Sequence, residues 1–180
     1  VVLKALVEWG TNALSSFNGM FAIGFINMHD KTLLIARDHA GMKPLYYSNL
    51  NGNFIFGSQL DHVMHYFDHQ DLNINIDSLY MYLAVGYYFA PNSVYKEIKQ
   101  LDAGEWLKIN IDGKKDTGMH FDLTKFYLQN KKNQFNQKEF EEKLEDAVHS
   151  HLISDVPVGT FLSGGLDSSI ITGIVNQKVN

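Results

Sequence analysis

No cysteine occurs among the 180 residues, which excludes a disulfide framework, a thiolate metal site and a thiol nucleophile within this chain. Basic residues are outnumbered, 15 Lys and Arg against 20 Asp and Glu, for a net charge of −5 at pH 7, and they gather on no single face. A nucleic-acid backbone is therefore not an expected partner. No apolar run approaches the roughly twenty residues that a membrane span requires, and no charged segment followed by an apolar core and a cleavage site marks secretion. A soluble chain in a cytoplasmic setting, with no membrane association, is the expectation. Two phosphate-site patterns are also missing: the Walker spacing GxxxxGK[ST] and the dinucleotide pattern GxGxxG. Eight histidines are present, yet neither His62 and His65 nor His149 and His151 form an HExxH, and they read as surface or satisfied polar residues rather than metal ligands.

What is present centres on Val158-Gly-Thr-Phe-Leu-Ser-Gly-Gly-Leu-Asp-Ser-Ser-Ile170. Val156, Val158, Phe161 and Leu162 read as a buried strand, and Ile170, Ile171, Ile174 and Val175 recur at helical spacing directly after. The glycine- and serine-rich turn between them thus faces a helix N-terminus, where unpaired amide N–H groups and the helix dipole hold a pyrophosphate without any lysine. Gly164 and Gly165 let phosphate oxygens approach the backbone, and the hydroxyls of Ser163, Ser168 and Ser169 can donate to them. Asp167 would be repelled by a polyphosphate unless it caps the helix or meets the nucleotide through Mg²⁺.

A 45% hydrophobic composition supplies one full core, or one core and part of a second. Residues 1–17 place Leu3, Leu6, Val7, Ala13 and Leu14 near one helical face, with Gly10 bending or ending its first part. Residues 20–28 and 32–37 read as a hairpin across His29-Asp30-Lys31. A further strand covers residues 53–56, after a turn signal at residues 49–52. Short helices follow from Ser58 and from Ile76 to near Gly86. Residues 104–111 alternate as a strand in which Trp106 is a packing residue, before the turn signal Asp112-Gly113. Residues 114–137 are polar with no clear apolar period, and residues 129–137 form the best linker. Phe140, Leu144, Val148 and Leu152 then mark one more helix. Arg37 and Asp38 read as a partly buried ion pair beside a rigid turn shaped by Gly41 and Pro44.

Six ordered segments resemble the glutamine-hydrolysing asparagine synthetase family. Phe17-Asn-Gly-Met-Phe-Ala-Ile23 is similar to its NGMFAF strand. Ala36-Arg-Asp-His-Ala-Gly-Met-Lys-Pro-Leu-Tyr-Tyr47 is similar to ARDxxGxKPLYY. Phe56-Gly-Ser-Gln-Leu60 resembles FASEIKAL with Gly57 and Gln59 replacing Ala and Glu. Residues 79–91 resemble YLxxGYxPAP, and residues 98–104 resemble IxxLPPG with Asp102-Ala103 in place of two prolines. Residues 150–169 resemble the entrance to the synthetase half, with its SGGxDS pyrophosphatase loop.

The resemblance implies an α+β then α/β architecture. Residues 1–135 would be a partial αββα N-terminal-nucleophile (class II glutaminase) sandwich. Residues 136–180 would begin an adenine-nucleotide α-hydrolase-like (ATP pyrophosphatase) domain with its first strand and helices. It implies ATP and Mg²⁺ as cofactors, and ATP, aspartate and glutamine as small-molecule substrates. Leu162 would meet the adenine side of ATP through its backbone. Ser163, Gly164, Gly165, Leu166, Asp167, Ser168 and Ser169 would grip the pyrophosphate, with Asp167 the metal-linked carboxylate. No catalytic residue is expected, since the family's nucleophile is an N-terminal cysteine whose own amino group acts as base. That cysteine, the glutamine-binding segments and the downstream SGxGxDE motif would lie outside these residues. The chain is thus expected to be an inactive internal fragment, with its last strand and helix lacking their sheet and an exposed half-core that would favour a homodimer. Three other functions share the pattern: a cysteine-less ring-forming synthetase of the β-lactam type, an amidotransferase acting on a sugar or peptide, and a non-catalytic ATP-binding module.

Overall fold

Turn chemistry sets the first hairpin. The Asn27 carboxamide oxygen accepts the N–H groups of His29 (3.0 Å) and Asp30 (3.1 Å), and Lys31 adopts φ 50°, closing a reversal whose geometry suits the strand twist. It joins β1 (Ala22–Asn27) to β2 (Thr32–Arg37), paired antiparallel with Ala22 opposite Arg37 and Asn27 opposite Thr32. The computed structural model describes residues 1–50, 52–68, 71–130 and 134–179. Within it the chain divides into two compact units, Val1–Tyr127 and Leu128–Asn180, taken separately below.

In the first unit β2 also pairs with β6 (Glu105–Asn110), and β6 with β7 (Lys115–Met119), giving an antiparallel sheet ordered β1-β2-β6-β7. A second antiparallel sheet, ordered β4-β3-β5, joins β3 (Tyr46–Leu50), β4 (Asn53–Gly57) and β5 (Ile98–Gln100). Alternation along β2 divides the core in two, because successive side chains point to opposite faces. Leu34 and Ala36 are buried with Leu6 of α1 (Val2–Trp9) and with Ala13 and Leu14 of the 3-10 segment Gly10–Ser16. Leu33 and Ile35 face the other way, into a cluster with Leu45, Leu107 and Ile109 and with Tyr47 and Phe54 of the second sheet. The sheets come close where Phe56 of β4 lies against Gly24 of β1; a Cβ on Gly24 would collide with the ring. The opposite face of the second sheet carries α2 (Leu60–Met64), whose Val63 is buried beside Gly57.

The remaining helices follow their caps. Asn75 accepts the Ser78 N–H (3.2 Å) at the start of α3 (Ile76–Val85), and Gly86 ends it at φ 85°, as N-cap and C-cap preferences require. The second unit contains the end of α4 (Leu123–Asn130), then α5 (Gln137–Ser150) and α6 (Leu166–Val179). Asn136 caps α5 by accepting the Glu139 N–H (3.2 Å).

Several expectations need correction. No strand forms at residues 156–162; Phe161 is 97% exposed and Val156 68%. A strand exists only through a ladder, and the second unit's described residues hold no other extended segment to pair with. Residues 114–137, polar and without an apolar period, nonetheless hold β7 at 115–119 and α4 up to Asn130. β7 is set by its partner, since Gly118 stands opposite Trp106 and leaves room for the indole; pairing here overrides a weak local propensity. β3 and β5 were likewise unmarked by alternation. In the expected linker, residues 129 and 130 are helical and Gln137 opens α5, while residues 131–133 lie outside the described residues, as does Asn51 of the turn at 49–52.

Candidate phosphate-binding site

The eight residues 162–169 do come together as one turn leading into α6. Gly164 takes φ 84°, a left-handed conformation that a side chain would strain. It aims the chain so that α6 starts at Leu166. The first helical backbone bond formed here runs from Ser169 N–H to Gly165 C=O (3.1 Å). Geometry therefore leaves the N–H groups of Leu166, Asp167 and Ser168 without intrahelical acceptors. They sit at the positive end of the helix dipole, and no lysine or arginine occurs between residues 152 and 177.

The three serines are engaged locally. Ser168 Oγ donates to Gly165 C=O (3.0 Å) and Ser169 Oγ to the same oxygen (2.8 Å). Ser163 Oγ lies 3.1 Å from Ser168 Oγ, closing the turn on itself. Asp167 occupies the exposed first turn of α6, and its carboxylate accepts no hydrogen bond among the described residues. It does not act as the helix cap. One contact was not foreseen: Thr172 Oγ1 donates to Thr160 Oγ1 (3.2 Å) across twelve residues. Only the presence of a hydroxyl on each side of the turn could have signalled it.

The Arg37–Asp38 pair behaves otherwise than expected. No ion pair joins them. Arg37 donates from Nε to Lys43 C=O (2.8 Å), from Nη1 to Leu101 C=O (2.7 Å) and from Nη2 to Gly41 C=O (2.6 Å). Asp38, fully buried, accepts four backbone N–H groups, those of Phe21 (3.2 Å), Ala40 (3.1 Å), Met42 (2.9 Å) and Lys43 (2.9 Å). Burial alone would raise the Asp38 carboxyl, but the four donors outweigh it and hold it below the ordinary aspartate range. Burial lowers Arg37, partly offset by the nearby Asp38 charge. The Arg37 carbonyl in turn lies 2.8 Å from His120 Nε2. This hub organises the turn at residues 40–43 and fixes it to Phe21 and Leu101. Trp106 is a partly buried strand residue packed on the helical cluster.

No group of three or more His, Asp or Glu side chains that could hold a metal occurs among the described residues. His65 and His151 instead contact backbone carbonyls one turn earlier, at Asp61 (2.6 Å) and Ala147 (2.7 Å). Among those residues, no helix is long and apolar enough to cross a membrane.

Comparison with known proteins matches residues 1–121 to a family described as the glutamine amidotransferase domain, and residues 139–180 to one described as asparagine synthase. Asparagine synthetase B (glutamine-hydrolyzing) of Escherichia coli (strain K12) is 34% identical, over 98% of this chain and 27% of its own length. Asparagine synthetase (glutamine-hydrolyzing) 1 of Bacillus subtilis (strain 168) is 32% identical, over 98% of this chain and 28% of its own. The same organism's asparagine synthetase (glutamine-hydrolyzing) 3 is 32% identical over 97% and 28%. The chain spans about a third or less of the length of the curated relatives it matches.

Proposed function

Because the chain belongs to the glutamine-hydrolysing asparagine synthetase family, we propose that the protein carrying it makes asparagine from aspartate, glutamine and ATP, releasing glutamate, AMP and pyrophosphate. The observation that carries this reading is the set of three unpaired N–H groups opening α6 behind a Ser163-Gly164-Gly165 turn. In this reading residues 1–135 are part of an N-terminal-nucleophile glutaminase sandwich, supported by two stacked sheets with a helix on each outer side. Residues 136–180 begin the ATP-pyrophosphatase domain of a cytoplasmic enzyme.

The chain's own residues have defined tasks. The N–H groups of Leu166, Asp167 and Ser168 bind the β and γ phosphates, while the Leu162 backbone faces the adenine. As the bond between the α and β phosphates breaks, negative charge grows on the leaving pyrophosphate, where fixed amide donors and the dipole stabilise it most. Ser168 and Ser169 turn their hydroxyls from Gly165 C=O to phosphate oxygens. Gly165 C=O still keeps the Ser169 N–H, so this rotation leaves no orphaned acceptor. An exposed, unpartnered Asp167 carboxylate beside phosphate oxygens is a donor set that suits Mg²⁺, which keeps several waters and takes one or two carboxylates. When bound, Mg²⁺ would neutralise phosphate charge. These residues contain no cysteine, so none of them is the thiol nucleophile that this reading assigns to glutamine hydrolysis.

Exchange of labelled pyrophosphate into ATP by the intact protein tests the reading. Exchange that requires aspartate is the expected result. Exchange driven by a different carboxylate, with aspartate inert, would replace asparagine synthesis by another amide- or ring-forming ligation.

A further inference from the structure

We infer that Asn18-Gly19 is a site of spontaneous modification, at which the Asn18 carboxamide converts to an aspartyl or isoaspartyl group with loss of ammonia. Asparagine is a thermolabile side chain, and the conversion needs the backbone nitrogen of the next residue to reach its Cγ. Glycine, having no Cβ, hinders that approach least. The sequence holds two Asn-Gly pairs, and Asn51 of the other lies outside the described residues. The rings of Phe17 and Phe21 meet edge-on with centroids 5.9 Å apart, which fixes both ends of a short loop. Asn18, Gly19 and Met20 between them are exposed.

The groups that must move are unrestrained in this loop. Neither the Asn18 carboxamide nor the Gly19 N–H makes a hydrogen bond among the described residues. Gly19 takes φ 146°, and nothing lies within 4 Å of where a Cβ on it would stand. Asn18 borders a cavity of about 270 Å³ shared with Ser15, Ser16, His39 and His120, ample for water at ~30 Å³ per molecule. In the first step the Gly19 nitrogen loses its proton and bonds to Asn18 Cγ, while the bond from Cγ to the carboxamide nitrogen breaks and that nitrogen leaves as ammonia with the proton. Water then opens the cyclic imide at either C–N bond. One opening leaves a carboxylate in place of the carboxamide, and the other also inserts a methylene into the backbone. Two asparagines nearby are held instead. Asn27 accepts two N–H groups and donates to Asp30 Oδ2 (2.9 Å), and the nitrogen after Asn12 belongs to buried Ala13 in the 3-10 segment.

The modification reaches the buried Asp38 hub. An inserted methylene lengthens the chain just before Phe21, whose N–H donates to Asp38 Oδ2 (3.2 Å) and whose C=O accepts the Asp38 N–H (2.9 Å). The test is to age the intact protein in warm, mildly alkaline buffer and follow the tryptic peptide of residues 5–31, which carries Asn12, Asn18 and Asn27 together. Fragment-ion masses locate the amide-to-acid change, and an isoaspartyl methyltransferase reports the rearranged form. Conversion at Asn18 should outpace that at Asn12 and Asn27 at least about tenfold, a barrier difference of about 1.4 kcal/mol. Aged wild type should show a lowered urea midpoint for the first unit, while aged Asn18→Ser keeps the midpoint of its fresh sample. An Asn18 that stays intact, or converts no faster than the other two, would overturn the site. An unchanged midpoint in converted wild type would overturn its link to the hub.

Discussion

Two regions of this molecule gather polar groups around a glycine-shaped turn, and they use them in opposite ways. Around Asp38 every polar side-chain atom has a partner: four N–H groups end on one buried carboxylate, and three carbonyls receive the Arg37 guanidinium. No buried side-chain nitrogen or oxygen lacks a partner among the described residues. Around Asp167 the polar groups are exposed, the carboxylate is unengaged, and the hydroxyls lean on a carbonyl they can leave. A buried polar group without a partner costs about 1–3 kcal/mol, more when charged, whereas water can serve an exposed one until a ligand arrives. Saturation marks the first cluster as architecture, and spare capacity is what supports the proposal that the second binds a ligand.

Breaking the saturated cluster should have the largest effect. Asp38→Asn places a carboxamide N–H against backbone N–H donors, and should destabilise the first unit by about 3 kcal/mol or more, read as a lowered urea midpoint at unchanged slope. The pH dependence has a defined sign. The folded carboxyl lies below its unfolded value, so its stabilisation is complete above the ordinary aspartate pKa of about 4. It is lost as pH falls through the lower, folded value, and the gap between wild type and Asp38→Asn should close in that acid range.

Gly104→Ala should cost about 2–3 kcal/mol, since Gly104 has φ 73° and a Cβ would collide with the Phe121 carbonyl, 3.1 Å from its carbon. This sharpens the comparison, because Gly104 N–H also bonds Asp38 C=O (2.9 Å) and should weaken the same unit.

The open cluster should respond differently. Asp167→Asn is expected to lower adenylation in the intact enzyme at least tenfold, roughly 1.4 kcal/mol, while thermal stability and glutamine hydrolysis stay near wild type. Equal loss of both activities would make Asp167 a folding residue, and the contrast between the clusters would fail.

The smallest effect should come from Glu105. Burial raises its carboxyl, and the Asp102 N–H it accepts (2.9 Å) offsets this only in part. A raised folded value means that ionisation opposes folding above the unfolded pKa and does not below it. Glu105→Gln, which keeps an acceptor for Asp102, should therefore raise stability at pH 7 by less than about 1 kcal/mol, with the gain vanishing below pH 4, measured by thermal unfolding.

Local chemistry was legible wherever a short stretch carried its own instructions. The β1–β2 hairpin, the Gly86 end of α3, the Asn136-capped α5 and the turn into α6 each follow from caps, glycines and apolar spacing within about a dozen residues. The turn proposed to bind phosphate belongs with them: its donors are backbone N–H groups that any helix start exposes, so Gly164, Gly165 and the serines announce it without help from a distant segment. β7 was not legible, because an edge strand such as Lys115–Met119 carries no apolar alternation and takes its form from the strand beside it; β3, central in its sheet, and the three-residue β5 are too short and too polar to show a period. The same dependence works in reverse at Val156, Val158, Phe161 and Leu162, apolar enough for a strand yet unpaired.

The amino-acid sequence by itself thus determined the helix starts, the hairpin turn and the residues that can face a phosphate, since these depend on neighbours a few positions away. Only the tertiary structure decided that Arg37 and Asp38 bond the backbone and not each other, and that Thr172 reaches Thr160. Those choices depend on which carbonyls and N–H groups are left without water once the chain has folded around them.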